Sequence, residues 1–225
     1  MRVPINYLGN VPARTSYAGL AMTLLQILNL LGVAVFAISG ALAAARKRLD
    51  LLGVVVVATV TGIGGGTVRD LLLNRHPIFW MREMDNLVAA FAGALVTLIY
   101  VRFKRPPERS LLIADALGLA LFTIGGTQVA MAAALPAPIA VIMGVVTGVV
   151  GGVVRDILTA EIPVILRGGE FYATAAIVGA TLYIILDAAG IPRPVPTALG
   201  MTSIALLRLG SILWGLQLPA FTSAE

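Results

Sequence analysis

Two nine-residue stretches set an arginine and an aspartate side by side behind a cluster of glycines: GIGGGTVRD at residues 62–70 and GVVGGVVRD at residues 148–156. A glycine-rich turn can cradle a phosphate, but that use needs a preceding strand and a Gly-Lys-Ser/Thr ending. Here the flanks are long apolar runs and the lysine is missing. What remains for Arg69–Asp70 and Arg155–Asp156 is electrostatic chemistry. A charged residue at the centre of a membrane helix costs about 2.5–3.5 kcal/mol on insertion scales, so such residues face a bundle interior or a wet path. Each arginine can pair with its neighbour, or across the motifs as Arg69 with Asp156 and Arg155 with Asp70. Both arrangements are open at this stage.

The surroundings of these motifs are set by composition. Of 225 residues, 59% are hydrophobic and 12% charged, with a mean hydropathy of +0.96. Soluble domains carry about 25% charged residues, so this chain lacks the polar groups to cover a water-exposed surface. The net charge of +5 therefore does not point to nucleic acid. Cysteine is absent, which excludes disulfides and thiolate metal sites. Nothing in the sequence makes a metal-ligand cluster or a Ser–His–Asp set, so neither an enzyme nor a metal site is expected.

A helix needs about 20 apolar residues to cross a bilayer. Hydropathy predicts seven such spans: Leu20–Ala45, Leu51–Leu73, Met84–Val101, Leu111–Leu135, Ala137–Thr159, Phe171–Ala189 and Val195–Leu218. The first run is too long for the apolar segment of a signal peptide. The expected fold class is an all-α integral membrane protein, a single membrane domain over residues 20–218 with an N-terminal extension 1–19 and a tail 219–225.

Shifting the sequence by 86 residues lays LGVAVFAISG (31–40) on LGLALFTIGG (117–126), the two glycine–Arg–Asp motifs on each other, and Pro77 on Pro163. From Leu31/Leu117 to Trp80/Leu166, 19 of 50 pairs are identical. The chain is thus an internal duplication: repeat one at about 22–105, repeat two at about 110–190, and an unpaired seventh helix at about 195–218. Three helices per repeat is an odd number, so the second copy is inverted across the membrane. Inverted repeats are typical of transporters, whose sites lie where broken helices meet.

Basic residues sort to the cytoplasmic side. With the N-terminus outside, inner loops hold Arg46, Lys47, Arg48, Arg102, Lys104, Arg105, Arg109 and Arg167, and the outer side holds Arg2, Arg14, Arg75, Arg82 and Arg193. The inner clusters also suit contact with anionic lipid. Gly64, Gly65 and Gly66 each weaken a helix by about 1 kcal/mol relative to alanine. They predict either an unwound hinge lining a wet cavity, with free N–H groups behind it, or close small-residue packing. Gly151 and Gly152 predict the same in repeat two. Asn29 and its mate Asp115 are buried polar candidates near the starts of their spans. Ser39, Thr61, Thr67, Thr123, Thr127, Gln128 and Thr147 are further candidates, although a lone threonine commonly bonds its own helix carbonyl. Arg208 has no mate, and His76 reads as a surface residue.

Seven helices arranged as three plus three inverted plus one, with the doubled motif in spans two and five, resemble the prokaryotic trimeric intracellular cation channels, over about residues 22–218. The resemblance implies a homotrimer in the cell membrane with an hourglass pore in each subunit, lined by spans one, two, four and five. It implies kinks at Gly64–Gly66 and Gly151–Gly152, with Arg69, Asp70, Arg155 and Asp156 as the charges beside them. It also implies K⁺ or Na⁺, chiefly K⁺, as the transported ion, and no cofactor. Asn29 departs from the pattern, standing where an aspartate like Asp115 is expected. The same bacterial family is also labelled a glycine transporter group, so a secondary transporter for glycine or another small amino acid is the alternative.

Overall fold

The computed structural model describes residues 17–167 and 169–217. The N-terminal extension is described only from Tyr17, where the first helix already begins. Residues 1–16 and the C-terminal tail lie outside the described residues.

The described chain is helical: α1 (Tyr17–Arg46), α2 (Leu51–Leu72), a single turn α3 (Phe79–Arg82), α4 (Asp85–Phe103), α5 (Ser110–Ala132), α6 (Ala137–Leu158), a 3₁₀ turn (Val164–Leu166), α7 (Ala173–Ala188) and α8 (Pro194–Trp214). Local chemistry sets the boundaries. The Asp50 carboxylate accepts the Gly53 N–H at 2.7 Å and caps α2. Pro136 and Pro138 separate α5 from α6, and proline is tolerated in a first helical turn, where its missing N–H has no partner to lose. Gly215, at φ 66°, closes α8 in the left-handed conformation that glycine adopts without strain. Among the described residues, six helices are long and apolar enough to span a bilayer, whereas α7, at 16 residues, is apolar but shorter.

The exterior and interior are reversed relative to a soluble protein. Phe91, Leu95, Ile99, Ile142, Ile185 and Leu206 all point outward, whereas Ser39, Asn86, Asp115, Arg155 and Arg208 are fully buried. Exposed apolar surface on this scale is a liability in water and the natural outer face in lipid. The polar groups gather inside, where partners can satisfy them.

The two repeats are related contact by contact. The ring of Phe36 stacks on that of its mate Phe122, centroids 5.3 Å apart and planes 17° from parallel, on the axis between the halves. A Cβ added to Gly151 would lie 2.6 Å from the Thr61 carbonyl oxygen, and one added to its mate Gly65 would strike the carbonyl of Thr147, the mate of Thr61. Gly62 faces the Val33 carbonyl as Gly148 faces that of Leu119. Gly32 meets Phe122 as Gly118 meets Phe36. Each pair is carried onto the other by the 86-residue offset. The seventh spanning helix, α8, breaks the symmetry: α4 packs on α1, but α8 lies against both α5 and α7, with Ile204 and Gly200 seated on Gly179.

One expectation is corrected. The glycine clusters do not unwind: α2 and α6 stay helical throughout, so no free N–H groups open at Gly64–Gly66 or Gly151–Gly152. In a bilayer, a broken helical hydrogen bond has no water to replace it. The glycines instead remove side chains where α2 and α6 cross backbone to backbone.

This separates the glycines by role. Alanine at Gly151 must displace the Thr61 backbone, and overpacking of this kind typically costs about 1–3 kcal/mol. Alanine at Gly64, whose nearest neighbour is 3.9 Å away, relieves a helix of glycine's entropy cost, about 0.5–1 kcal/mol. Thermal melts of the detergent-solubilised protein should therefore show Gly151→Ala melting several degrees lower and Gly64→Ala unchanged or slightly higher. Equal losses at both positions would contradict the packing account.

Candidate functional site

Both arginines of the motif sit on the last turns of their helices, α2 and α6, and each reaches back to the aspartate beside it. Arg69 donates from Nε to Asp70 Oδ1 at 2.9 Å, with Nη2 also 2.9 Å from that oxygen. Arg155 makes the equivalent pair with Asp156, both distances 2.8 Å. The adjacent pairing therefore holds, and the cross-repeat pairing does not. The second oxygen of each carboxylate fastens the chain that follows. Asp70 Oδ2 accepts the Phe79 N–H at 2.9 Å, and Asp156 Oδ2 accepts the Val164 N–H at 3.0 Å. Phe79 then lies under the Arg69 guanidinium, 5.5 Å from ring centre to Cζ. A cation over an aromatic face at that range gains about 0.5–1 kcal/mol or more.

The repeats part company in what else meets each guanidinium. Arg155 Nη1 lies 2.6 Å from Asp115 Oδ1 and donates to Ser39 Oγ at 2.5 Å, with all three side chains fully buried. The Tyr172 hydroxyl adds a donor to Asp115 at 3.3 Å. At the mates of these positions stand Asn29, Gly125 and Asn86. Asn29 donates to Asn86 at 2.6 Å, reproducing the Asp115–Tyr172 contact without charge. Arg69 retains Asp70 as its close carboxylate, and Arg75 draws on the same carboxylate from 3.9 Å.

A cavity opens at each end of the α1–α5 pair. The larger, about 690 Å³, is lined by Gln26, Asn29, Arg69, Arg75, Phe79 and Gln128 among others. It narrows into a pocket of about 30 Å³ bounded by Asn29, Arg69, Gly125 and Phe122. The smaller cavity, about 210 Å³, lies against Ala43, Arg46, Lys47, Leu112, Asp156 and Glu161. It is the repeat mate of the first, since Val129, Ala132, Ala133, Gln26 and Arg75 on one face correspond to Ala43, Arg46, Lys47, Leu112 and Glu161 on the other. At its rim Lys47 approaches Glu161 to 2.6 Å, holding that exposed carboxyl below its usual range. The Phe36–Phe122 stack and the Arg155–Asp115–Ser39 cluster line neither vestibule and belong to the packed interior.

Among the other sequence candidates, Thr61, Thr123 and Thr147 are fully buried at helix contacts beneath Gly40, Gly148 and Gly126 and do not line either vestibule. Thr61 and Thr147 donate to their own helices at Val57 O and Met143 O, both at 2.6 Å. Gln128 lines the larger vestibule and donates to Thr197 of α8 at 2.7 Å. Arg208 is fully buried, 3.0 Å from Glu170 and stacked 4.7 Å over Tyr172. Tyr172 and Asn86 were not legible as site residues. Their signal lies in the same 86-residue offset, which pairs them outside the span where identities accumulate.

A protein-family model described as "Glycine transporter" matches twice, at residues 26–102 and 112–188, in the register of the duplication. The UPF0126 inner membrane protein YadS of Escherichia coli K12 is 44% identical over 203 residues, covering 88% of this chain and 96% of that protein. In structure, the chain is similar to the trimeric intracellular cation channel orthologue from Rhodobacter sphaeroides, with a TM-score of 0.82 and 41% identity over 86% of this chain and all of that one. A second trimeric intracellular cation channel aligns at a TM-score of 0.79 and 36% identity, covering 89% of this chain and 98% of that one. The chain belongs to this family. Within the family fold, its two copies carry different partners around one duplicated arginine, which makes the two vestibules chemically distinct.

The buried network makes a measurable demand. Asp115→Asn removes a charged acceptor from a fully buried arginine, and such hydrogen bonds contribute about 1.5–3 kcal/mol. Asn29→Ala removes only a neutral amide contact, about 0.5–1.5 kcal/mol. Melting curves should place Asp115→Asn clearly below Asn29→Ala, and the reverse order would mean that Asp115 is not the principal partner of Arg155.

Proposed function

We propose that the chain forms a homotrimer in the prokaryotic inner membrane and that each subunit carries its own cation pore, passing chiefly K⁺ between the two vestibules. The observation that carries this reading is the pair of symmetry-related cavities at opposite ends of α1 and α5. Arg69, Asp70, Arg155 and Asp156 set the charge at the inner ends of the vestibules, Gly65 and Gly151 let α2 and α6 cross at the centre, and Asn29, Asp115 and Ser39 tune the two sides. The arrangement is that of a closed conformation. A guanidinium repels a passing cation, so each arginine must be offset by carboxylate or moved. Unit charges 4 Å apart interact by about 4 kcal/mol at an effective dielectric of 20, enough to decide whether K⁺ passes. The names of the structural neighbours, cation channels at 41% and 36% identity, support the same reading. Anionic lipid is the expected partner of the basic inner loops.

Purified protein in planar bilayers under a K⁺ gradient should give unitary currents. Arg69→Ala and Arg155→Ala should each change conductance or open probability, unequally because their partners differ. Saturable glycine-dependent flux without unitary currents would instead favour transport. Unaltered currents in both arginine variants would place the path elsewhere.

The proposed orientation has the N-terminus outside and the C-terminus in the cytoplasm. The absence of native cysteine makes single introduced cysteines clean reporters. Positions near Lys47 and Lys104 should resist an impermeant reagent added outside, while positions near His76 and Arg193 should be labelled. Labelling of Lys47 and His76 from the same side would contradict the inverted repeat.

A further inference from the structure

We infer that the larger vestibule is a binding site for a small oxyanion, a carboxylate or phosphate group, which supplies to Arg69 the counter-charge that Asp115 supplies to Arg155. The duplicated site works as its own control. Arg155 is enclosed by Asp115, Asp156 and Ser39, so two carboxylates meet one guanidinium. At Arg69 the mate of Asp115 is the neutral Asn29 and the mate of Ser39 is Gly125, which has no side chain. A Cβ built on Gly125 finds no atom within 4 Å, so the space that Ser39 fills in one repeat is open in the other.

Arg69 is nonetheless only 5% exposed, and the carboxylate it keeps also attracts Arg75. Two arginines and one aspartate thus meet at the closed end of the cavity, against one arginine and two aspartates in repeat two. Arg82 brings a third guanidinium to the wall, and Glu83, 3.6 Å from it, is that residue's own partner. Residues 1–25 contain no aspartate or glutamate, so the N-terminal extension cannot provide the missing charge. Burial lowers the pKa of Arg75, in the loop beyond α2, with Arg69 and Arg82 adding to the effect and Asp70 and Glu83 opposing it.

Carboxylates and phosphates present paired oxygens to guanidinium N–H groups, and about 690 Å³ is ample for such a group on a small molecule or a lipid head. Occupancy would also remove the repulsion that a cation meets at Arg69. That consequence rests on the pore reading; the binding itself does not.

Trp80 provides the readout, since its indole donates to Thr67 at 3.0 Å, directly beside the vestibule residue Phe79. Trp214→Phe leaves Trp80 as the only tryptophan of the two in the chain. In that background, the full-length protein in neutral phosphatidylcholine nanodiscs is titrated with potassium phosphate or potassium acetate against potassium chloride at matched ionic strength. The expected result is a saturable fluorescence change with at least one oxyanion. It should weaken at least tenfold in Arg69→Gln, as loss of one partner of a close charge pair implies. It should weaken equally in Asn29→Asp, which places a carboxylate at the repeat mate of Asp115.

Phosphatidylglycerol discs separate the two sources of the oxyanion. A titration shifted tenfold or more to higher concentration identifies a lipid phosphate already in the site, and an unshifted one identifies a free solute. The inference is overturned by a lack of saturable response to either oxyanion in neutral discs. A response that both variants leave unchanged overturns it equally. Neither result bears on whether bilayers show K⁺ currents, so failure here is distinguishable from failure of the pore reading.

Discussion

The approach of α2 to α6 is the constraint on which the other features depend. Where they cross, the Cβ position of Gly151 falls 2.6 Å from a backbone oxygen of the opposite helix, and Gly65 repeats the contact in reverse. Only glycine leaves room for that crossing. It fixes the pseudo-two-fold axis, brings Phe36 onto Phe122 beside it, and points the two arginines toward opposite ends of the bundle. Moving these helices apart by one methyl group would disturb the stack, both vestibule floors and the inner polar cluster together.

Around that axis the solvent dictates which groups lie where. Lipid offers no hydrogen bonds, so each buried charge needs a partner within the protein or a wet path. Repeat two answers with protein partners: Arg155 is held by Asp115, Asp156 and Ser39, and Tyr172 ties Asp115 to the foot of α7. Arg208 extends the cluster to α8 by stacking on Tyr172 and pairing with Glu170. Among the described residues, the unpaired helix is thus anchored mainly to repeat two. Repeat one answers with space: its arginine sits at the end of the larger cavity. The polar cluster fills the space beside the smaller vestibule and leaves it open beside the larger, and the positions that differ are Asp115 against Asn29, Ser39 against Gly125 and Tyr172 against Asn86.

Much of this was legible in the sequence because duplication turns a single chain into two aligned ones. The 86-residue offset exposed the doubled glycine–Arg–Asp motif and the Asn29–Asp115 mismatch, and hydropathy placed the spans to within a few residues. What could not be read was side-chain reach. Adjacent residues lie about 100° apart on a helix, which left neighbour and cross-repeat pairing equally open, whereas the flexible arginine stem curls back to Asp70 or Asp156. The state of the glycine helices was also hidden, because a glycine run weakens a helix and permits close packing by the same property. Only the opposing Thr61 and Thr147 carbonyls decide between the two. The turns Phe79–Arg82 and Val164–Leu166, short and anchored by Asp70 and Asp156, left no periodic signal at all.

The central claim is that inversion yields two vestibules, open to opposite sides of the membrane and closed from each other at the axis. The most direct test is modification of single cysteines placed within the vestibules, Gln128→Cys in the larger and Ala43→Cys in the smaller, by a charged thiol reagent added to either side of sealed vesicles in the closed state. Gln128→Cys should react from one face alone and Ala43→Cys from the opposite face alone. Reaction of both from the same face, or of either from both faces, would contradict the account.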